Sequence, residues 1–205
     1  MRLLTETRHL GARWNVRSVA AAVAAALLLL VGTRSVLAES VMVPAELQAE
    51  LLSKLISYDR NFPARAASGT AVVLLVVKSN SKSGLAATAM KSVLAEIKLL
   101  GGLPHRETIV QFESPADLAK LCKKERAAVV YITPGFDDDI DALRSALTGV
   151  DVLSVGASAD YVARGVVLGF EVVSGKPRLV LNLNQAKQQN VNFKADVLRL
   201  MRVYR

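Results

Sequence analysis

Four acidic residues close together in mid-chain are the first candidates for chemistry. They lie in segment 133–141 (TPGFDDDID), after a Pro-Gly turn and one aromatic residue, and they are Asp137, Asp138, Asp139 and Asp141. Acids are expected at a helix N-terminus because of capping and the helix dipole. Two functional interpretations stay open beside this one: a divalent-cation site, or an acidic contact patch for a protein partner. In the second, Phe136 is the apolar anchor and Asp137, Asp138 and Asp139 are the polar contacts.

Histidine and cysteine are too scarce to build a common catalytic site. The chain has two His and one Cys, so a zinc site made of these residues is nearly excluded. His105 would have to be the base of a Ser-His-Asp group, but it lies between a predicted helix and strand, at the amino edge of the sheet. Segment 156–160 (GASAD) begins like a nucleophile elbow and then has Asp160 where the second Gly belongs. We expect no enzymatic activity, no cofactor and no resident metal.

The single cysteine, Cys122, cannot form an intramolecular disulfide. Its surroundings, ADLAKLCKK, are those of an amphipathic helix, which favours a small, half-buried helix residue. An intermolecular bridge is the alternative.

The elements that must position these residues alternate between strands and helices. The first strand, 71–77 (AVVLLVV), is apolar without alternation, as expected when both faces of a strand are covered. The pattern then predicts helix 83–100, strand 108–112, helix 115–123, strand 127–132, helix 137–147 and strand 152–155. This order predicts a single-domain α/β fold with a doubly wound, mostly parallel sheet, Rossmann-like or flavodoxin-like.

Residues 164–201 predict how the sheet ends. Two strands, 165–173 and 178–183, flank Ser174-Gly175-Lys176, where Gly supplies the positive φ of a short turn. Pro177 cannot donate to a central ladder, so we expect it at a strand start or on an edge. Five apolar residues then follow a helical period: Phe193, Val197, Leu198, Leu200 and Met201. We predict a C-terminal antiparallel hairpin and a closing helix.

The loops after the first and third strands would meet at the topological switch point, where ligands of such sheets bind. Loop 78–84 (KSNSKSG) lacks the G-x-x-x-x-G-K-[ST] arrangement of a phosphate-binding loop, so it reads as a polar loop with a Ser N-cap. A periplasmic small-molecule receptor that uses this crevice stays open as an alternative function.

Residues 43–58 predict the first helix of the domain. Pro44 suits its first turn, and one apolar stripe has spacings of four, four and three: Leu47, Leu51, Leu55 and Tyr58. Such a stripe is typical of a core face. The alternative is an amphipathic arm on a neighbouring subunit, so a homodimer through this helix or the hairpin edge stays open.

The first 38 residues have the features of a secretory signal peptide. Residues 1–17 are basic, residues 18–32 carry no charge, and Val36-Leu37-Ala38 fits a signal peptidase site. The apolar run is about 15 residues, shorter than the roughly 20 of a spanning helix. We predict cleavage after Ala38 and a periplasmic domain of residues 39–205. An uncleaved anchor is the alternative.

Removal of the leader on export would lower the net positive charge of the protein. The formal charge is +8, and loss of five Arg and one Glu with the leader lowers it to +4. The remaining charge is scattered and forms no basic stripe with interleaved aromatics, so nucleic acid is not an expected partner.

Several segments of the domain resemble the YfiR-like family of periplasmic proteins. The C-terminal resemblance lies in Gly165 to Phe170, Gly175-Lys176, Asn182-Leu183, Ala186-Lys187 and Val197-Leu198-Arg199-Leu200. Weaker matches lie at 51–63 (LLSKLISYDRNFP) and 129–135 (VVYITPG).

This resemblance implies a regulator that binds another protein. YfiR-like proteins bind the extracytoplasmic sensor part of a membrane-bound diguanylate cyclase and restrain cyclic-di-GMP output, and with it biofilm and motility choices. For this chain the resemblance therefore implies a non-enzymatic periplasmic protein whose partner is a membrane signalling protein. A cyclase, a sensor kinase or a transporter would each fit.

Overall fold

The computed structural model describes residues 42–66 and 68–205. The predicted leader and its cleavage point after Ala38 lie outside these residues and stay predictions. Residues Ser40–Arg205 form one compact unit. Within the described ranges, no helix is long and apolar enough to cross a membrane.

Strands and helices alternate along most of the domain, as predicted. The strands are β1 (Ala71–Val77), β2 (His105–Gln111), β3 (Ala127–Ile132), β4 (Leu153–Gly156), β5 (Leu168–Val173), β6 (Lys176–Asn182) and β7 (Arg202–Tyr204). The helices are α1 (Ala45–Ile56), α2 (Phe62–Arg65), α3 (Ser81–Glu96), α4 (Pro115–Glu125), α5 (Ile140–Leu147), α6 (Ala159–Ala163), α7 (Leu183–Gln188) and α8 (Ala195–Leu198).

All described strands form one sheet in the order β2-β1-β3-β4-β5-β6-β7. Every neighbouring pair is parallel except β5 and β6, which form the antiparallel hairpin. The order of the first five strands is that of flavodoxin, and it reverses between β1 and β3. The predicted doubly wound, mostly parallel fold is confirmed, and its switch point lies where the sequence places it.

Each face of the sheet has its own apolar cluster. Val73 and Leu75 of β1 pack with α1 and α3 on one face, whereas Val72 and Leu74 pack with α4 and α5 on the other. All seven positions of β1 are buried, which explains its unbroken apolar run.

The hairpin has the two-residue turn that its sequence predicts. Ser174 and Gly175 both have positive φ, at 50° and 75°, and Val173 pairs directly with Lys176. This combination is typical of a type I′ turn, whose twist matches that of the flanking strands. Pro177 is the second residue of β6, outside the segment that pairs with β7. Its missing N–H therefore leaves no gap in a central ladder.

The closing helix is much shorter than predicted. Only Ala195–Leu198 is helical, and its N-cap residue Lys194 makes no side-chain cap hydrogen bond. The chain then extends into β7, which pairs in parallel with β6 through Arg202–Tyr204. A β-branched and an aromatic residue, Val203 and Tyr204, favour a strand, and the open edge of the hairpin offers the ladder.

A buried ion-pair network joins the start of the domain to its C-terminal region. The Arg65 side chain is 1% exposed; its Nη2 lies 2.6 Å from Asp59 Oδ2 and its Nε 2.9 Å from Asp151 Oδ1. Arg65 Nη2 also donates to the Asn190 carbonyl at 3.2 Å. The Asp59 carboxylate accepts from the Asn192 backbone N–H at 3.0 Å. Buried charges persist when they are paired in this way.

Candidate functional site

The two loops of the switch-point crevice are joined by buried hydroxyl groups. Thr133 Oγ1 donates to the Val76 carbonyl at 2.7 Å. Because a hydroxyl has one proton, Thr133 must accept from Ser83 in the hydrogen bond between their side chains. Ser83 Oγ also accepts from the Lys78 backbone N–H at 2.9 Å. Ser83 and Thr133 are both fully buried, so this chain fills its own crevice at that point.

The cap of helix α3 differs from the predicted one. Asn80, not a serine, is the N-cap residue, and its side chain accepts from the Ser83 backbone N–H at 2.8 Å. Asn80 also occupies the space beside the opposite loop, because a Cβ built on Gly135 would lie 3.2 Å from Asn80 Nδ2. Gly135 has φ +99°, so a side chain there would be strained as well as crowded. The two loops are therefore in direct contact.

Asp137, Asp138 and Asp139 lie in a turn that precedes the helix, and only Asp141 lies in the first turn of the helix. Helix α5 begins at Ile140, three residues later than predicted. Asp139 is its N-cap residue, but its carboxylate caps no backbone N–H and forms an ion pair with Lys78 instead. Capping therefore does not explain the carboxylate of Asp139.

Arg164 holds the outer side of the same turn. Its guanidinium donates to the Asp137 carbonyl, and its Nη2 lies 2.6 Å from Asp141 Oδ2. The hydrogen bond from Arg164 lowers the pKa of Asp141, and the positive charge of Arg164 acts in the same direction. Asp137 and Asp138 remain exposed, and their carboxylates form no ion pair with any residue that the structure describes.

Phe136 is not available as an anchor for a partner. Its side chain is fully buried and meets Phe112 edge to face, with ring centroids 5.0 Å apart. Lys78 Nζ lies 5.2 Å from the centroid of the Phe136 ring. The prediction of an apolar anchor at Phe136 is therefore wrong. A stripe with spacings of four, three and four was the signal for a core position: Phe136, Ile140, Leu143 and Leu147, all buried.

Tyr161 fixes the backbone around Phe136. Its hydroxyl accepts from the N–H groups of Gly135 and Phe136 at 3.0 and 2.9 Å. Burial raises the pKa of Tyr161, and the nearby Asp137 raises it further. Sequence reasoning did not identify Tyr161, Lys78 or Arg164, because no local pattern connects them to the acidic turn.

The residues considered for metal binding and catalysis lie apart from one another in the described structure. No cluster of three or more His, Cys, Asp or Glu side chains among them could hold a metal ion. His105 is the first residue of β2, at the amino edge as predicted, and its Nε2 donates to the Ile97 carbonyl at 2.7 Å. Ser158 caps α6 through a 3.2 Å hydrogen bond from the Asp160 N–H. His105 and Ser158 thus have separate structural roles at opposite ends of the sheet.

Cys122 is more buried than predicted, at 2% exposure. Burial raises the pKa of its thiol to about 12, so the nucleophilic thiolate is scarce at neutral pH. A disulfide to a second copy would require this part of α4 to open.

Solved structures share this architecture at low sequence identity. A conserved domain protein from Vibrio cholerae is 16% identical with a TM-score of 0.54, and the match covers 79% of this chain and 60% of that chain. The ABC domain from Streptococcus pneumonia, solved in complex with L-Trp, is 12% identical with a TM-score of 0.54 and coverage of 78% and 62%. A ligand-free, open substrate-binding protein with adhesive properties from Clostridium difficile is 10% identical, with a TM-score of 0.54 and coverage of 80% and 60%.

These likenesses establish the fold alone, and this chain spans only about 60% of the solved chains that it matches. No curated protein matches the sequence at a significant level. The sheet and its switch point define a doubly wound, mostly parallel α/β fold. The model of the YfiR/HmsC-like family (DUF4154) matches residues 45–202. The chain belongs to this family, whose members are periplasmic regulators of signalling and are generally not catalysts.

Proposed function

We propose that this protein is an exported regulator that binds the extracytoplasmic domain of a membrane-bound signalling protein and restrains its output. The partner would be a diguanylate cyclase or a sensor kinase. The observation that carries this proposal is the family match, which spans nearly all of the described domain. The protein would act by occupying its target, since His105, Ser158 and Cys122 have structural surroundings.

The exposed acids of the switch-point turn are the contact that we assign to the partner. Asp137 and Asp138 are exposed and form no ion pair with a described residue, whereas Asp139 is ion-paired with Lys78. The turn itself is held by Arg164 and Tyr161. A surface that is already ordered loses little conformational entropy on binding. We therefore keep Asp137 and Asp138 as contacts, with Phe136 as the buried support of the turn.

The contact would be electrostatic, so its complement on the partner is a basic patch. Opposite charges across an interface raise the association rate and select the partner more than they raise affinity. Binding should accordingly weaken as ionic strength rises.

A small-molecule receptor at the switch point has less support. The side chains of Ser83 and Thr133 are buried and hydrogen-bonded to each other across the two loops, and Asn80 occupies the space beside Gly135. A ligand would have to break these contacts to enter. The solved neighbours, one in complex with L-Trp and one a substrate-binding protein, share only the fold with this chain.

The test is capture of the partner followed by a charge-reversal comparison. The protein, expressed with its own leader and purified from the periplasm, is used as bait for solubilised membranes, and captured signalling proteins are then titrated directly. Asp138→Lys should weaken binding at least tenfold. Glu96→Lys is the matched control, because Glu96 is an exposed carboxylate at the other end of the sheet, also without an ion pair among the described residues.

Two results would contradict the proposal. Equal affinities for Asp138→Lys and Glu96→Lys would remove the acidic turn from the interface. Absence of any captured signalling protein, together with a rise in melting temperature on addition of a small molecule, would favour the receptor function.

A further inference from the structure

A cavity lies at the amino edge of the sheet, at the end opposite the acidic turn. We call it the amino-edge cavity, and its volume is about 290 Å³. Helix α2, the C-terminal end of α4 and the segment that leads into β4 form its walls. Its charged lining residues are Arg65, Lys123, Arg126 and Asp151.

Arg65 brings a buried cation with unused hydrogen-bond donors to this cavity. Its side chain is 1% exposed. The acceptors of Nη2, the Asp59 carboxylate and the Asn190 carbonyl, lie outside the cavity lining, and Nε donates to Asp151. Nη1, which carries two N–H groups, has no hydrogen-bond partner among the described residues. Because nearly all buried polar groups in native structures are paired, this atom calls for an acceptor.

Two further cations lie at the amino-edge cavity. Lys123 and Arg126 are exposed, and neither side chain forms an ion pair or a hydrogen bond with a residue that the structure describes. With Arg65 they make three cations, against the two carboxylates of Asp59 and Asp151. The cavity and its immediate surroundings therefore have an excess of one positive charge.

The helix dipole accounts for only part of this arrangement. Lys123 and Lys124 both lie in the last turn of α4, where the negative end of the dipole favours cations. Arg126 lies beyond the helix and has φ 49°, which is uncommon for a residue other than glycine. A water molecule would satisfy Arg65 Nη1, but it would leave the excess positive charge in place.

We propose that the amino-edge cavity binds a small oxyanion, a phosphate or carboxylate group, which accepts hydrogen bonds from Arg65 Nη1 and lies between Lys123 and Arg126. Charged hydrogen bonds from arginine to these groups are short and strong. The exposed side chains of Lys123 and Arg126 change rotamer readily, so they can admit the anion. The site is at the other edge of the sheet from the switch point, and it is independent of the acidic turn and of any membrane partner.

The first test compares neighbouring lysines of α4. Lys123 lines the cavity, whereas Lys124 is exposed and lies outside the lining. The ¹⁵N-labelled protein, purified from the periplasm, is titrated with inorganic phosphate and separately with succinate, against sodium chloride of equal ionic strength. The amide shifts of residues 122–126 and 150–151 give the affinity. We expect at least fivefold weaker binding for Lys123→Gln and unchanged binding for Lys124→Gln.

The anion that saturates these shifts at the lower concentration shows whether the ligand carries a phosphate or a carboxylate group. Two results would overturn the site. One is a set of shifts that grow linearly up to tens of millimolar with both anions, which would leave Arg65 Nη1 to water. The other is equal weakening in Lys123→Gln and Lys124→Gln, which would indicate general attraction to the helix end. Circular dichroism shows whether both variants remain folded, and their exposed positions predict that they do.

The second test uses Cys122, the single thiol of the chain, which also lines the cavity. A bound anion should shield Cys122 and slow its alkylation by iodoacetamide. Phosphate also stabilises proteins in general, because it is excluded from their surfaces. Arg126→Asn provides the control, since asparagine tolerates the left-handed conformation of this position and the general effect acts on both proteins. Saturating phosphate should slow alkylation of the native protein at least fivefold more than that of Arg126→Asn. Equal slowing in both would overturn the placement of the anion in this cavity.

Discussion

The acidic turn and the apolar groove differ in how much of their surface is paired or covered by other residues of the same chain. The apolar groove lies between α1 and the segment around α8, and its apolar lining consists of Leu51, Leu55, Tyr58, Leu179, Val197 and Leu200. In the turn, Asp139 is paired with Lys78 and Asp141 with Arg164, and the backbone is bound by Tyr161. In the groove, Leu200 and Tyr58 remain exposed to water, so the stripe predicted as a core face of α1 reaches the core only in part. The comparison teaches that a conspicuous sequence motif can be mostly structural, while a surface without any local motif can leave more of its area uncovered.

The largest loss of stability is expected when the aromatic side chain beneath the acidic turn, Phe136, is truncated. Phe136→Ala removes a fully buried ring from the core, which typically costs about 3–5 kcal/mol of unfolding free energy. The measurement is urea denaturation followed by circular dichroism. A loss below about 1 kcal/mol would show that Phe136 is exposed, as the sequence had predicted, and would erase the contrast.

Burial of Cys122 in the core beneath the turn should also make the stability of the protein depend on pH in alkaline solution. Cys122 belongs to the same apolar cluster as Phe136, and burial raises its pKa from 9.0 to about 12. Below pH 9 the thiol is neutral in both states, so its contribution to stability is constant. Between pH 9 and 12 only the unfolded chain loses the proton, so stability falls as pH rises.

At about 1.4 kcal/mol per pH unit, this contribution reaches about 4 kcal/mol at pH 12. Cys122→Ala should therefore lose stability less steeply than the native protein when urea denaturation is repeated at pH 8, 9.5 and 10.5. Parallel curves for the two proteins would show that the thiol is solvated. The tyrosines titrate in both proteins, so they do not affect the difference.

A smaller loss of stability is expected when the single hydroxyl that binds the turn, that of Tyr161, is removed. Tyr161→Phe leaves the backbone N–H groups of Gly135 and Phe136 without their acceptor, while the ring stays in place. An unsatisfied buried donor costs about 1–3 kcal/mol. The same variant should increase amide exchange at Phe136. Unchanged exchange there would mean that Arg164 alone orders the turn.

The smallest effect should come from the groove. Leu200→Ser changes a side chain that is 73% exposed, so the stability of the monomer should change by less than about 0.5 kcal/mol. Measured at low protein concentration, this result would show that Leu200 is not kept for the fold. A loss comparable to that of Phe136→Ala would mean that the groove is part of the core.

Local patterns predicted the sheet well because its strands are defined by local chemistry. Strand β3 has the predicted bounds, 127–132, and β1 is an unbroken apolar run whose seven residues are all buried. The hairpin follows from the positive φ that Gly175 adopts readily. In each case the residues that decide the structure are neighbours in the sequence.

The parts that could not be predicted depend on distant partners. The start of α5 moved to Ile140, after a turn held by Tyr161 and Arg164, which lie more than 20 positions away. The closing helix became α8 and β7 because the edge of β6 was free to pair. The groove combines residues of α1, β6 and α8, and no window of sequence contains all three.

The network around Arg65 affects how the protein unfolds. It joins segments separated by 125 to 133 positions, so neither segment 59–65 nor segment 190–192 can detach without leaving a buried charge unpaired. Local opening should thus cost nearly as much as global unfolding, and both ends should belong to one cooperative foldon. Deuterium incorporation would then be equally slow at residues 62–65 and 190–193, with no partly unfolded species for proteases to attack.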